Sequence, residues 1–194
     1  MLFALWVEAA GVLSGEVAVL VVTNAGLGES VGVSREVIAV VSAAAQPAAA
    51  EGLVKVQRMS MDLALDIAKG AVEACREEGY QVSAVVVDRS GDAQAVLRDV
   101  YAPRMTLEIA REKAGAVILS GTSSAQLDSS RSDIAAELDH LDEVLTLAGG
   151  LPVEAQGTMV GAVAVSGAPG GDIDAECAQA GLDAVSDRLD FAGF

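Results

Sequence analysis

The chain has 194 residues and sets 12 basic against 28 acidic side chains, a formal net charge of −16. That length suffices for one well-buried domain with residues to spare. A field of that sign repels a nucleic-acid duplex or an anionic membrane surface. No run of 18 or more uncharged apolar residues occurs, so no membrane span is expected.

The charge is uneven along the chain. Residues 1–58 carry five acids and three bases, whereas the remainder carries 23 acids and nine bases. The first stretch is therefore read as an N-terminal extension or linker, and residues 59–194 as the domain. Within 1–58, Val17 to Val22 suggests a short strand. The glycines at Gly26, Gly28 and Gly32 suggest a flexible turn, because Val31 stands where a dinucleotide loop would need its third glycine. Val37 to Ala50 is uncharged and Ala-rich and follows Arg35. It reads as a linker, which makes the protein cytoplasmic. If residues 35–50 are instead the tail of a signal peptide, the protein is exported.

From Met59 the pattern sharpens. Ala64, Ile67, Ala68, Ala71, Val72 and Cys75 fall on one helical face, with Ser60 as N-cap and Gly79 as stop. Val82–Asp88 and Ala93–Val100 form a hairpin about Ser90-Gly91-Asp92. After Pro103 a helix runs to Leu119, then a loop at Gly121–Ser124, then a short helix marked by Ile134, Leu138 and Leu141. Val144–Leu147 reads as a strand leading into Gly149-Gly150. Leu151–Ala155 and Thr158–Ser166 make a second hairpin about Gln156-Gly157. Thr158–Ser166 is nine uncharged residues with valines and small side chains, the pattern of a strand buried on both faces. The last helix spans about 172 to 189. Cys75 and Cys177, about 100 residues apart and both on helices, read as buried free thiols.

Two hairpins require antiparallel neighbours, so the fold class is α+β rather than doubly wound. Several blocks then carry a family likeness. These are Val85-Val86-Val87-Asp88-Arg89-Ser90-Gly91, Ala110-Arg111-Glu112-Lys113-Ala114 and Gly149-Gly150-Leu151-Pro152. Val160 to Ala168 and Asp174 to Gly181 complete the set. In order and spacing they resemble the GlcG/HbpS-like family, which includes the PduO C-terminal domain and is named for haem degradation. The likeness covers roughly residues 59–190. It implies an antiparallel five-stranded sheet flanked by helices in a profilin-like layout, a small-molecule ligand, and assembly into a homo-oligomer. Haem is the ligand in one branch. The sequence departs at Pro103-Arg104-Met105-Thr106, where family members commonly carry a His before the Thr.

Arg104, Thr106, Arg111 and Lys113 gather near a helix start, a setting suited to a carboxylate or a haem propionate. Ion pairs along a solvated helix face are the structural alternative. His140, the one imidazole, could ligate iron or serve as acid or base, and Met105 could be an axial thioether. Each also has an ordinary reading, as a surface histidine and a core gap filler. Gly161, inside the long strand, implies that a helix or a ligand approaches the backbone closely. The leading function is binding of haem or a related tetrapyrrole, with a role in its turnover. An enzyme or accessory acting on a small organic acid is the alternative, and a ligand-free scaffold subunit is the third possibility.

Overall fold

The computed structural model describes residues 52–54 and 56–190. The expectations for Val17–Val22, Gly26–Gly32 and residues 35–50 lie outside the described residues. Helix α1 (Met61–Glu77) leads to β1 (Ser83–Asp88), β2 (Ala93–Arg98) and α2 (Met105–Ser120). Short helices α3 (Ser124–Ser130) and α4 (Ala135–Leu138) precede β3 (Gly150–Ala155) and β4 (Thr158–Ser166), and α5 (Gly171–Asp183) and α6 (Ser186–Asp190) close the domain. The strands pair antiparallel in the order β2-β1-β4-β3.

The sheet has four strands among the described residues, not five. Val144–Leu147 does not pair as a strand because its backbone donors are engaged elsewhere. The Leu145 N–H donates to the Glu112 carbonyl at the side of α2, and the Thr146 N–H to the Asp139 carboxylate at 2.8 Å. The segment is therefore tied to two helices. Expectation also missed α3, which Ser123 caps through the Gln126 N–H. The last helix divides in two at Ala184-Val185, where Val185 turns into the core.

Strand β4 is buried on both faces from Val160 onward, as its composition implied. Ala162 and Ala164, with Val85 and Val87, meet Ala110, Ala114 and Val117 of α2. Val163 and Val165 face the opposite core under α1 and α5. The bulge opposite Val153/Glu154 brings Val160 onto that second face as well. Gly161 does meet a close neighbour, but neither helix supplies it: an added Cβ would collide with the Val87 carbonyl of β1 and lie 3.1 Å from Met59 Cε.

The two cysteines are not free. Cys75 on α1 and Cys177 on α5 form a disulfide, with Cα atoms 5.4 Å apart. Nothing in their spacing of 102 residues signals a pair. The two helices run antiparallel and almost in backbone contact, because Gly70 and Gly181 face each other: an added Cβ on Gly70 would lie 3.1 Å from Gly181 Cα. That small-residue contact brings the two sulfurs together.

Candidate functional site

The structure disperses the expected cation group. Lys113 points inward from α2 and is 2% exposed; its ammonium donates to the Asp174 carboxylate at 2.7 Å and to the Val165 carbonyl at 3.0 Å. Asp174 also accepts the Ala168 N–H, and burial raises its carboxyl above the ordinary value against the opposing pull of Lys113. Gly149, at φ 123°, makes room for this pair, since a Cβ there would lie 2.7 Å from Lys113 Nζ. The Gly149-Gly150-Leu151-Pro152 block is thus where the strand passes against α2.

Arg111 lies on the outer side of α2 and donates to Glu143 at 2.6 Å. It borders a cleft of 220 Å³ with Ser90, Gly91, Gly115, Leu119 and Glu143. Asp142 also lines that cleft, so carboxylates outnumber the one guanidinium and the cleft offers an anion little attraction. Outside the lining of that cleft, the Glu112 carboxyl is raised above its ordinary value by burial and then by Glu108 and Asp139. His140 lies well away in sequence from α2, exposed, with Nδ1 2.7 Å from the Ala136 carbonyl. Among the described residues no group of three or more His, Cys, Asp or Glu side chains could hold a metal ion.

Thr106 is buried at the start of α2. Its hydroxyl donates to the Pro103 carbonyl at 2.7 Å, so the Ser83 hydroxyl is the donor in the 2.7 Å bond between Ser83 and Thr106. These bonds anchor the β2–α2 connection to β1. The rest of the connection is held as firmly. Asp99, itself buried, accepts from Arg76 Nε at 2.9 Å and from the Val100 N–H, and Arg76 holds its carboxyl below the usual carboxylate range. Arg98 donates to the Ala102 carbonyl, Tyr101 N–H to Gln81, and Ala102 is buried.

On this pinned backbone the side chains point outward. Tyr101 is 82% exposed, Val100 70% and Met105 52%, with the Met105 sulfur 3.8 Å from an Arg104 guanidinium nitrogen. Val96 opposes Val85 across the β1–β2 ladder and so stands on the α2 side of the sheet, yet it is 51% exposed. The reason is that α2 covers β1 and β4 and scarcely reaches β2. Residues 96–105 therefore combine an apolar and aromatic patch, a thioether and the guanidiniums of Arg98 and Arg104. Of the residues expected from sequence, Arg104 and Met105 belong to it and Thr106 lies beneath it. Arg111, Lys113, His140 and Gly161 stand apart. Val96, Arg98, Val100 and Tyr101 escaped sequence reasoning. Their signal was an aromatic and two guanidiniums beside a proline in a chain poor in both aromatics and bases.

No curated protein sequence matches this chain. A crystal structure of HbpS is 34% identical, with a TM-score of 0.65 over 71% of this chain and 97% of that one. A double mutant of Streptomyces reticuli HbpS is 36% identical, with a TM-score of 0.64 over 72% and 97%. A PduOC:haem complex shares the fold at 23% identity, with a TM-score of 0.59 over 66% and 95%. The family model described as haem degrading protein HbpS-like matches residues 59–183. On that match, and on the α+β sheet that it shares with these structures, the chain belongs to the HbpS-like family.

Proposed function

We propose that this protein binds haem or a related tetrapyrrole on the surface formed by the outer face of β2 and the β2–α2 connection, and takes part in its turnover. The observation that carries this reading is the pinned connection, which presents Tyr101, Arg104 and Met105 to solvent. Several large apolar side chains held outward close together in the chain on an ordered backbone support an interaction surface there, whereas single exposed ones elsewhere are ordinary. The residues present fit the group. Met105 offers a soft thioether to iron, Arg98 and Arg104 offer guanidiniums to propionates, and Val96, Val100 and Tyr101 offer an apolar bed. Haem, when bound, supplies the iron chemistry. The chain's own part is to orient the macrocycle through these contacts and to neutralise its carboxylates. The family description and the neighbouring PduOC complex, solved with haem, support the choice of ligand.

The patch is open, whereas buried ligands are commonly enclosed over most of their surface. A second copy of the chain would supply the opposite wall, and this supports a homo-oligomer. No helix among the described residues is long and apolar enough to cross a membrane. The disulfide supports export over a cytoplasmic home, because such bonds persist in oxidising compartments. Export in turn makes residues 35–50 the tail of a signal peptide.

Titration of the full chain with haemin tests the reading. A saturable shift of the Soret band at micromolar concentration is expected, weakened at least tenfold by Arg104→Glu. No saturable shift overturns it. Thermal protection by small dicarboxylic acids, without any response to haemin, would favour the organic-acid alternative. Light scattering that gives a monomer mass with haemin bound would contradict the shared site.

A further inference from the structure

Helix α5 has two strong ties to the rest of the domain, and they lie one turn apart. Cys177 is bonded to Cys75 of α1, and Asp174, three residues earlier, holds Lys113 of α2. The helix also packs on α1, β4 and β3, where Ile173 and Leu182 reach the core only half-buried. Its N-cap is Gly170, which makes no side-chain capping bond. Its contact with α1 is built from Gly70, Ala71, Ala178, Gly181 and Ala184, which bury little apolar area each. A helix seated by small residues gains close approach but little hydrophobic stabilisation, so a covalent tie there counts for more than usual. The bond also closes a loop that contains the whole sheet and α2, and long loops restrict the unfolded chain most.

We propose that the Cys75–Cys177 bond is a redox latch. Closed, it seats α5 against α1 and keeps the Lys113–Asp174 pair dry. Opened, it lets α5 lift and admits water to that pair, which loosens the register of α2 on the sheet. The latch is guarded, because Cys75 is fully buried and Cys177 nearly so. A thiolate must reach a sulfur atom to begin exchange. Reduction therefore waits on a transient local opening at the α1–α5 contact, and the broken bond then lets α5 lift fully. Its chemistry is ordinary: a dithiol gives two electrons and two protons, the Cys75–Cys177 bond breaks, both sulfurs become thiols, and the dithiol closes to its own disulfide. Surroundings rich in thiols hold the domain in the loosened state and oxidising surroundings hold it clamped.

The full chain, equilibrated with oxidised glutathione, provides the test. Denatured without reductant it should take up no iodoacetamide, and after dithiothreitol it should take up two equivalents. Under native conditions dithiothreitol should act at least tenfold more slowly than in denaturant. The reduced protein, and the Cys75→Ala/Cys177→Ala variant, should melt on the order of 10 °C below the oxidised protein. Asp174→Asn should lower the melting temperature of the oxidised protein more than that of the reduced one. Two reactive thiols before reduction, or equal melting of the two forms, would overturn the latch. Native reduction as fast as in denaturant would remove the guard, and equal Asp174→Asn shifts in the two forms would cut the link to the ion pair.

Discussion

The two faces of the sheet are built differently. Under α1 and α5 lies the larger core, with Ile67, Val82, Val86, Val153, Val163 and Val165 fully buried and a disulfide across the two helices. Under α2 lies a thin one, seven buried residues of which four are alanines. A single helix cannot cover four strands, so among the described residues the outer face of β2 stays bare beside the start of α2. The first face holds the domain together, and the second leaves exposed the surface proposed for the ligand. Substitutions on the closed face should register in stability, and those on the open face in binding.

The largest effect is expected where the faces are joined. Lys113→Ala leaves Asp174 as an unpaired buried carboxylate, a loss of about 3–5 kcal/mol in urea denaturation. Replacing both partners, Lys113→Met with Asp174→Leu, should recover most of it, because the dry site then holds no charge. A double variant as unstable as the single one would show that the pair does more than satisfy its own burial. Gly161→Val, on the closed face, forces a side chain against the Val87 carbonyl and should cost about 1–3 kcal/mol while leaving haemin binding intact. Loss of binding with unchanged stability would move the ligand to β4. Ser123→Ala removes the cap of α3 and should cost about 1 kcal/mol.

Smaller still is a pH effect. Asp99 has a lowered pKa in the fold, through its bond to Arg76. Its stabilising contribution is therefore complete above the ordinary carboxylate value of 3.8 and is lost as pH falls through the lower, folded value. Asp99→Asn should flatten the acid limb of the stability profile below about pH 4 and leave its neutral part with the same shape. An unchanged acid limb would show that the β2–α2 connection is held by its other bonds. Least of all, Val96→Ala on the open face should change stability by under about 0.5 kcal/mol.

How much of this was legible varied with the physics involved. Strand β4 could be read because an uncharged run of that length has few other destinations, and α1 because its apolar positions repeat at helical spacing. Both hairpins followed from Ser90-Gly91-Asp92 and Gln156-Gly157. The fifth strand was misread because Val144–Leu147 has strand composition, while its donors find Glu112 and Asp139, partners distant in sequence or lying in side chains. The free thiols were misread for a related reason. Pairing of Cys75 with Cys177 depends on how closely two helices approach, and Gly70 and Gly181 reveal that only once they are seen face to face. Charge alone could not sort the cations of α2. Arg104 stands just before α2 and Arg111 and Lys113 on it, yet the first lies exposed beside the Met105 sulfur, the second is matched by Glu143 and the third is buried against Asp174.

The most direct test of the ligand surface is haemin titration of the Met105→Leu variant beside the parent, followed by absorption spectroscopy of both ferric complexes. Leucine keeps the size and apolar character of the side chain and removes only the thioether. The parent should bind saturably, and the variant should bind at least tenfold more weakly, with an altered Soret position and an unchanged melting temperature. Identical affinity and spectra in the two proteins would show that the iron lies elsewhere, and the surface of β2 and the β2–α2 connection would not be the haem site.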